Sequence, residues 1–447
     1  MKHHIIDLFS GCGGLAYGFA QSGFNIVGGI EMNKSASRTA SFNLHWKNGH
    51  EREHLCLDIT KTKSSIFNNS QIDNPIIIGG PPCQAYSKIG RAKLNSLGTE
   101  RAAENDNRGH LYEDFVRFAL DLNSKAVVME NVPESVNYNG VNIPDLVCEM
   151  LSKNGYDAIW TILNSADYGV PQIRERVFVL AIHKDFGCID QLPIPTHSRS
   201  NSFVKTQNEA RITKFNSSVF FREPNFAHEN LPNWITVGEA FSDLPKLFES
   251  PASKYELYSP NTIFSYSHLP LNSFQESIRT DNNIVSKFVS GHGFRKTPRD
   301  FRIFAKMSEG DNYLNAVEIA NKLFHTECKR IGLNHISKEE NVLKLKKLFV
   351  PPYSTEKFIT KWKKLDSSKP SHTLVAHLST DTYSHIHPWE PRGISVREAA
   401  RLQSFPDSFV FNCPMGEAFK QIGNAVPPLL SKAIAKSVLK NLEITRD

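Results

Sequence analysis

Pro75-Ile76-Ile77-Ile78-Gly79-Gly80-Pro81-Pro82-Cys83-Gln84 is a β-branched apolar run that stops on two glycines and two prolines. The isoleucines predict a buried strand, and the Gly-Pro pairs forbid both helix and further strand pairing. Cys83 is therefore expected on a rigid loop just past a strand end, where ligands bind in open α/β sheets. Taken alone, the stretch reads more readily as a tight turn around an inert cysteine than as a nucleophile. The motifs around it decide between the two.

On either side, short strands alternate with helical spacing. His4–Phe9, Asn25–Glu31, Ala126–Glu130 and Arg176–Ile182 read as strands; Leu15–Ser22 and Tyr112–Leu122 read as helices. This alternation predicts βαβ units and a mainly parallel sheet, hence an α/β fold. After about Phe186 the chain is rich in Ser, Asn and Pro, and strand signals are poor. Helical patterns return at Val396–Gln403 and Pro427–Leu442.

The chain has 447 residues, 40% of them hydrophobic, which fits two or three domains with a large core. No apolar run approaches a membrane span, and the N-terminus lacks the apolar core of a secretion signal. Seven cysteines without a CxxC pair argue against a disulfide framework or a zinc cluster and suit a reducing, cytoplasmic setting. The net charge of +6 is mild. It is concentrated between Asn321 and Leu365, where eleven Lys/Arg face four Glu among interleaved aromatics. That pattern suits a phosphate backbone.

Asp7-Leu8-Phe9-Ser10-Gly11-Cys12-Gly13-Gly14 is a strand, a glycine turn and a helix start, an arrangement that lets backbone amides approach a ligand. Glu31 closes the second strand, where a carboxylate can take ribose hydroxyls, and Asp58-Ile59 falls where a third strand should end. These residues suggest a nucleoside-cofactor site, although a structural glycine turn fits the first motif about as well. Glu130-Asn131-Val132 ends the strand after the Cys83 strand, so parallel pairing would bring Glu130 to Cys83. Gln172, Arg174 and Arg176 alternate along a predicted strand face as a row of donors for a phosphate or a base edge. A run of His372, His377, His385 and His387 invites a metal reading, but no cysteine or carboxylate completes a ligand set.

Read in order, these motifs resemble those of the DNA (cytosine-5)-methyltransferases. Residues 7–14 match the first cofactor motif, Pro81-Pro82-Cys83-Gln84 the catalytic loop, Glu130-Asn131-Val132 and Gln172-Ile173-Arg174-Glu175-Arg176 the remaining site motifs. Asp106-Asn107-Arg108-Gly109-His110-Leu111 resembles a weaker block between them. Arg397–Asp407 and Gln421–Pro428 match the last two. The resemblance covers residues 1–185 and 390–447; the middle matches only by position.

The resemblance implies a Rossmann-like S-adenosylmethionine-dependent methyltransferase fold with a mainly parallel sheet, plus a smaller irregular target-recognition domain. Residues 1–185 and 390–447 would form the catalytic domain and 186–389 the target-recognition domain. It implies Cys83 as nucleophile, Glu130 as the acid at the base, and Arg174 and Arg176 as donors to base, carboxyl or phosphate. S-adenosylmethionine would be held by Phe9, Gly11, Gly13, Gly14, Glu31, Met32, Asp58, Ile59, Pro81, Leu111 and Asn424. Double-stranded DNA would meet Gln84, Ser87, Lys88, Arg91 and Gln172, with the loop 85–108 closing over an extruded cytosine. Arg397 and Glu398 would brace the recognition region. Met32 stands where the family often has an aromatic, so adenine stacking is weaker or falls to Phe9. The resemblance is to bacterial restriction-modification and defence enzymes, which raises a cognate restriction endonuclease or a defence-system partner; one chain carries every motif, so a monomer suffices. A long middle and the lack of Cys-Phe-Thr disfavour the tRNA-modifying branch, the intact Cys83 and Glu130 disfavour a silent DNA-binding member, and the Pro-Pro-Cys-Gln loop disfavours a dinucleotide oxidoreductase.

Overall fold

A computed structural model describes residues 3–68, 72–82, 111–138, 140–198, 214–215, 217–224, 231–247, 261–281, 283–295, 297, 300–333, 339–356 and 361–444. They fall into two compact units: Met1–Trp234 with Gln403–Phe405 and Asn424–Asp447, and Ile235–Leu402 with Pro406–Gly423. The helix of the ninth block, expected with the catalytic residues, belongs to the second unit.

In the first unit the strands are β1 (His4–Leu8), β2 (Asn25–Ile30), β3 (His54–Leu55), β4 (Ile76–Gly79), β5 (Ala126–Asn131), β6 (Tyr156–Asn164) and β7 (Glu175–His183). They form one sheet in the order β3-β2-β1-β4-β5-β7-β6. The first five are parallel, while β7 runs antiparallel to both β5 and β6. Helices α1 (Gly14–Gln21), α2 (Lys34–Leu44), α3 (Leu111–Asp121), α4 (Ile143–Lys153) and α12 (Pro428–Leu442) accompany it.

The sequence reading missed α4 and β6, although Tyr156-Asp157-Ala158-Ile159-Trp160 alternates well enough to have been found. It also gave no direction for β7. The connection between β6 and β7 is too short for a parallel crossover, so the pair must be a hairpin.

Strand β1 alternates faces. Ile6 and Leu8 join a core with Ile77, Phe115, Val127 and Trp160. The C-terminal helix docks where Gly18 of α1 lacks a side chain: a Cβ there would lie 2.5 Å from the Ser431 Cβ, and the Ser431 hydroxyl donates to the Leu15 carbonyl. A neighbour this close explains why the chain's last helix serves the first strand's helix.

The second unit contains two short ribbons, β8 (Ile263–Ser265) with β11 (Phe288–Ser290) and β9 (Thr280–Asp281) with β10 (Ile284–Val285). Its helices are α5 (Val237–Phe241), α6 (Ser273–Arg279), α7 (Phe301–Phe304), α8 (Tyr313–Arg330), α9 (Glu339–Phe349), α10 (Val396–Leu402) and α11 (Met415–Asn424, whose last residue groups with the first unit). A small apolar core gathers Ile303, Phe304, Tyr313, Trp362 and Ile386. Much of the rest is held by buried charge. Arg392 reaches both Glu390 and Glu398 at 2.9 and 2.7 Å; Arg401 pairs with Asp407 at 2.6 Å and with Asp243. Arg397 donates to the carbonyls of Ser290, Pro406 and Phe409. Both Arg397 and Glu398 are thus interior residues of this unit. His372 stacks on His385 at 4.0 Å between centroids, and His387 lies near Glu390 and Glu398. Among the described residues no helix is long and apolar enough to cross a membrane.

Candidate active site

The register of the sheet assembles the site. Leu8 pairs with Gly79 and Gly79 with Met129, so the turn after β1, the Gly80-Pro81 turn after β4 and Glu130 of β5 lie side by side at the strands' C-terminal ends. This is the switch point of the strand order, where β1 is flanked by β2 and β4.

The turn after β1 is tightly built. Phe9, Gly11 and Gly13 all take positive φ, 55°, 53° and 87°. Gly13 is held to glycine by its positive φ, and a Cβ there would also crowd the Leu44 side chain at 2.9 Å. Gly14 has no room either: its Cβ would lie 2.5 Å from the Val426 carbonyl oxygen and 3.2 Å from the Phe405 ring. Gly11 is the opposite case, with open space where its side chain would be. Across the turn, the Glu31 carboxylate accepts from the Gly11 amide at 2.9 Å and the Asn33 amide at 2.7 Å. The carboxylate is fixed by backbone at the end of β2. Behind it Asp7 is buried, and neither carboxyl oxygen has a hydrogen-bond partner among the described residues. Burial, and then the charge of Glu31, hold its carboxyl well above the usual carboxylate range.

The other cofactor candidates are dispersed around this turn. Met32 is 73% exposed, and the Cys56 thiol donates to its carbonyl at 3.5 Å. Asp58 lies three residues past β3 and caps the short turn Ile59–Lys61 by accepting from the Thr60 amide. Ile59 is buried in the main core, which leaves it little surface for a ligand. Pro81 is buried and Leu111 opens α3 against the core. Asn424 is exposed at the end of α11, and the residues after it, Ala425 and Val426, press on Gly14.

At the base-side candidates, Arg176 Nε stands 3.0 Å from Glu130 Oε1. A Cβ on Gly80 would come within 2.9 Å of Glu130 Oε2, so the missing side chain makes room for the carboxyl. Burial pushes the Glu130 carboxyl above its ordinary range; the guanidiniums of Arg176 and Arg174 pull it part of the way back. Arg174 is buried on the same side.

Gln172 departs from the expected row of donors. It precedes β7, which begins at Glu175, so the three residues do not alternate along one strand. Its side chain is buried, with the amide donated to Gln403 Oε1 at 2.8 Å. A strand face was inferred from spacing alone; tertiary packing turned this residue inward. Cys83, Gln84, Ser87, Lys88 and Arg91, and with them the loop 85–108, lie outside the described residues.

Sequence reasoning gave no site role to Asn33, whose amide holds Glu31, or to Gln403, Ser404 and Phe405, of which Phe405 reaches Gly14 of the first glycine turn while Gln403 and Ser404 bond Gln172, Ala425 and Leu429. The resemblance of Arg397–Asp407 to a family block flagged the latter as a segment, without a role for these three side chains.

The chain matches the family model for C-5 cytosine-specific DNA methylases over residues 3–440. It is 57% identical over 443 residues to the Oceanobacillus iheyensis protein M.OihORF3336P, covering 98% of this chain and 96% of that one. It is 30% identical over 458 residues to the type II methyltransferase M.DdeI of Desulfomicrobium norvegicum, covering 99% and 91%. A prophage-encoded Escherichia coli protein, assigned as a DNA modification methyltransferase, superposes with a TM-score of 0.64 at 22% identity, over 99% of this chain and all of that one. That likeness bears on the fold.

Proposed function

The chain belongs to the C-5 cytosine-specific DNA methylase family and is a DNA cytosine-5 methyltransferase; from that premise we propose that it flips a cytosine out of double-stranded DNA and methylates it through a transient bond from Cys83 to ring carbon C6. Cytosine C5 is a poor nucleophile until a soft nucleophile adds at C6 and breaks the aromaticity, which is the task of the Cys83 thiolate. C6 is inaccessible in a stacked duplex, so extrusion precedes attack.

As negative charge builds on the ring, Glu130 meets N3 as a carboxylic acid, and Arg176 and Arg174 steady the carboxyl and the base oxygen. Bound S-adenosylmethionine supplies the electrophilic methyl group. Water takes the C5 proton as the C6–sulfur bond to Cys83 breaks and the sulfur leaves as thiolate, which restores the ring. The glycine turn suits that cofactor: Gly11 leaves open space, and Glu31 is pre-set to take ribose hydroxyls. Asn424, Met32 and Asp58 complete the shell around it. Parts of the second unit read the sequence, and the protein works as a cytoplasmic monomer, as the modification partner of a restriction endonuclease.

The observation that carries the reading is the Glu130 carboxyl, buried, raised in pKa, paired with Arg176, and pressed against Gly80 three residues before Cys83. Bisulfite sequencing of DNA from a host expressing the chain identifies the target cytosine. A duplex carrying 5-fluorocytosine there should then trap a covalent adduct with the native protein and none with Cys83→Ala. No adduct with the native protein would overturn the proposal.

A further inference from the structure

Residues 403–405 are grouped with the first unit although the helix before them and the turn after them are not. Each of the three side chains engages a different part of that unit. Gln403 accepts from the Gln172 amide at 2.8 Å and donates to the Ala425 carbonyl at 3.1 Å. Ser404 holds a positive φ of 59°, and its hydroxyl accepts from the Leu429 amide in the first turn of α12 at 3.1 Å. Phe405 abuts Gly14 at the start of α1, beside Ala425 and Val426. A serine in the left-handed region is strained, and such a residue persists where its surroundings over-determine it.

We propose that Gln403 is a positioning residue for methyl transfer, with Ser404 and Phe405 fixing its place. Gln172 lies two residues before Arg174, and the Ala425-Val426 peptide lies against Gly14. The two amide bonds of Gln403 therefore tie the segment carrying the base-side arginines to the turn that carries the cofactor. Both bonds are buried, where a lost partner is not replaced by water. In this role it acts through its neighbours: it sets the separation between the two half-sites, which methyl transfer cannot tolerate being wrong. The inference rests on reading those half-sites as base and cofactor sites.

The test uses the full chain, tritiated S-adenosylmethionine and unmethylated plasmid DNA at saturating concentrations. Gln403→Met and Gln172→Met remove the same bond from its two ends, and the double variant closes the cycle. Each single variant should lower kcat about tenfold or more, with cofactor Kd and DNA KM within about twofold, and the double variant should be no worse than Gln403→Met. Wild-type kcat in both single variants, or a loss confined to Kd and KM, would overturn the inference. Additive losses would overturn it as well. If Gln403→Met fails to fold, Gln172→Met alone decides, since it leaves the Ala425 bond in place. Glu130→Gln run in parallel separates the two levels. Its retaining wild-type kcat would reject the base-site reading, whereas its inactivity beside unimpaired Gln172→Met and Gln403→Met would reject the positioning role alone.

Discussion

Glu130 ends a parallel strand and Arg176 begins its antiparallel neighbour, and their side chains meet at 3.0 Å between Oε1 and Nε. Burial raises the carboxyl above its ordinary range, and the arginines pull it part of the way back. In the proposed mechanism this pair supplies the acid at the base.

Glu130→Gln should lower kcat roughly 10²- to 10⁴-fold while leaving cofactor binding nearly unchanged. The sign of the pH dependence follows from the raised pKa. The protonated form persists to higher pH than for an ordinary glutamate and is lost as pH rises through the raised value, so native kcat should fall on the alkaline side. The variant should lack that limb, which a kcat–pH profile reads.

Gly80→Ala should act on the carboxyl without unfolding the sheet. The new methyl would meet Glu130 Oε2 at 2.9 Å, the end of a side chain that can swing aside. The expected result is a kcat loss of about tenfold or more with a thermal midpoint close to native.

Gly14→Ala should instead be a stability variant. Its methyl meets a backbone carbonyl, that of Val426, which cannot move without shifting the start of α12. A loss of about 1–3 kcal/mol is expected, read by denaturant unfolding.

Glu31→Ala strips two backbone amides, those of Gly11 and Asn33, of their acceptor and removes the ribose contact of the proposed cofactor site. Calorimetry should find S-adenosylmethionine binding weaker by about 1–3 kcal/mol.

The second unit should be acid-labile. Burial would raise the carboxyls of Glu398 and Asp407, but the guanidiniums of Arg392 and Arg401 more than offset this and hold both below the usual range. Such groups stabilise above the ordinary carboxylate pKa and lose that contribution as pH falls through their lowered values. His387, lowered by burial to about 4, must stay neutral, so stability begins to fall near pH 6.5 and continues to about pH 4. A melting series from pH 7.5 to 2 checks this, the histidine reading above pH 4 and the carboxylates below it; a flat series would contradict it.

The parallel half of the sheet was legible because β1, β2, β4 and β5 are short apolar runs ending in glycine or in a site motif, and burial on both faces demands such runs. The positions of Glu31 and Glu130 at strand ends were legible for the same reason, since each closes such an apolar run. The basic stretch 321–365 was only half legible. Lys322, Arg330 and Lys344 each pair with a glutamate one helical turn away, at 2.5, 2.6 and 2.6 Å, which composition could not reveal. The salt dependence of DNA binding should accordingly be shallower than eleven free cations would give.

The chain alone determined which residue types stand at which strand ends, because hydrophobic periodicity and glycine placement are local properties. Folding decided what is not local. Gln172 turned inward to an amide 231 residues away, the last helix came to rest on Leu15 and Gly18 of α1, and Phe405 of the ninth block came to rest on Gly14. Those choices depend on which buried polar groups find partners and where a missing Cβ leaves room, and neither exists until the backbone is packed.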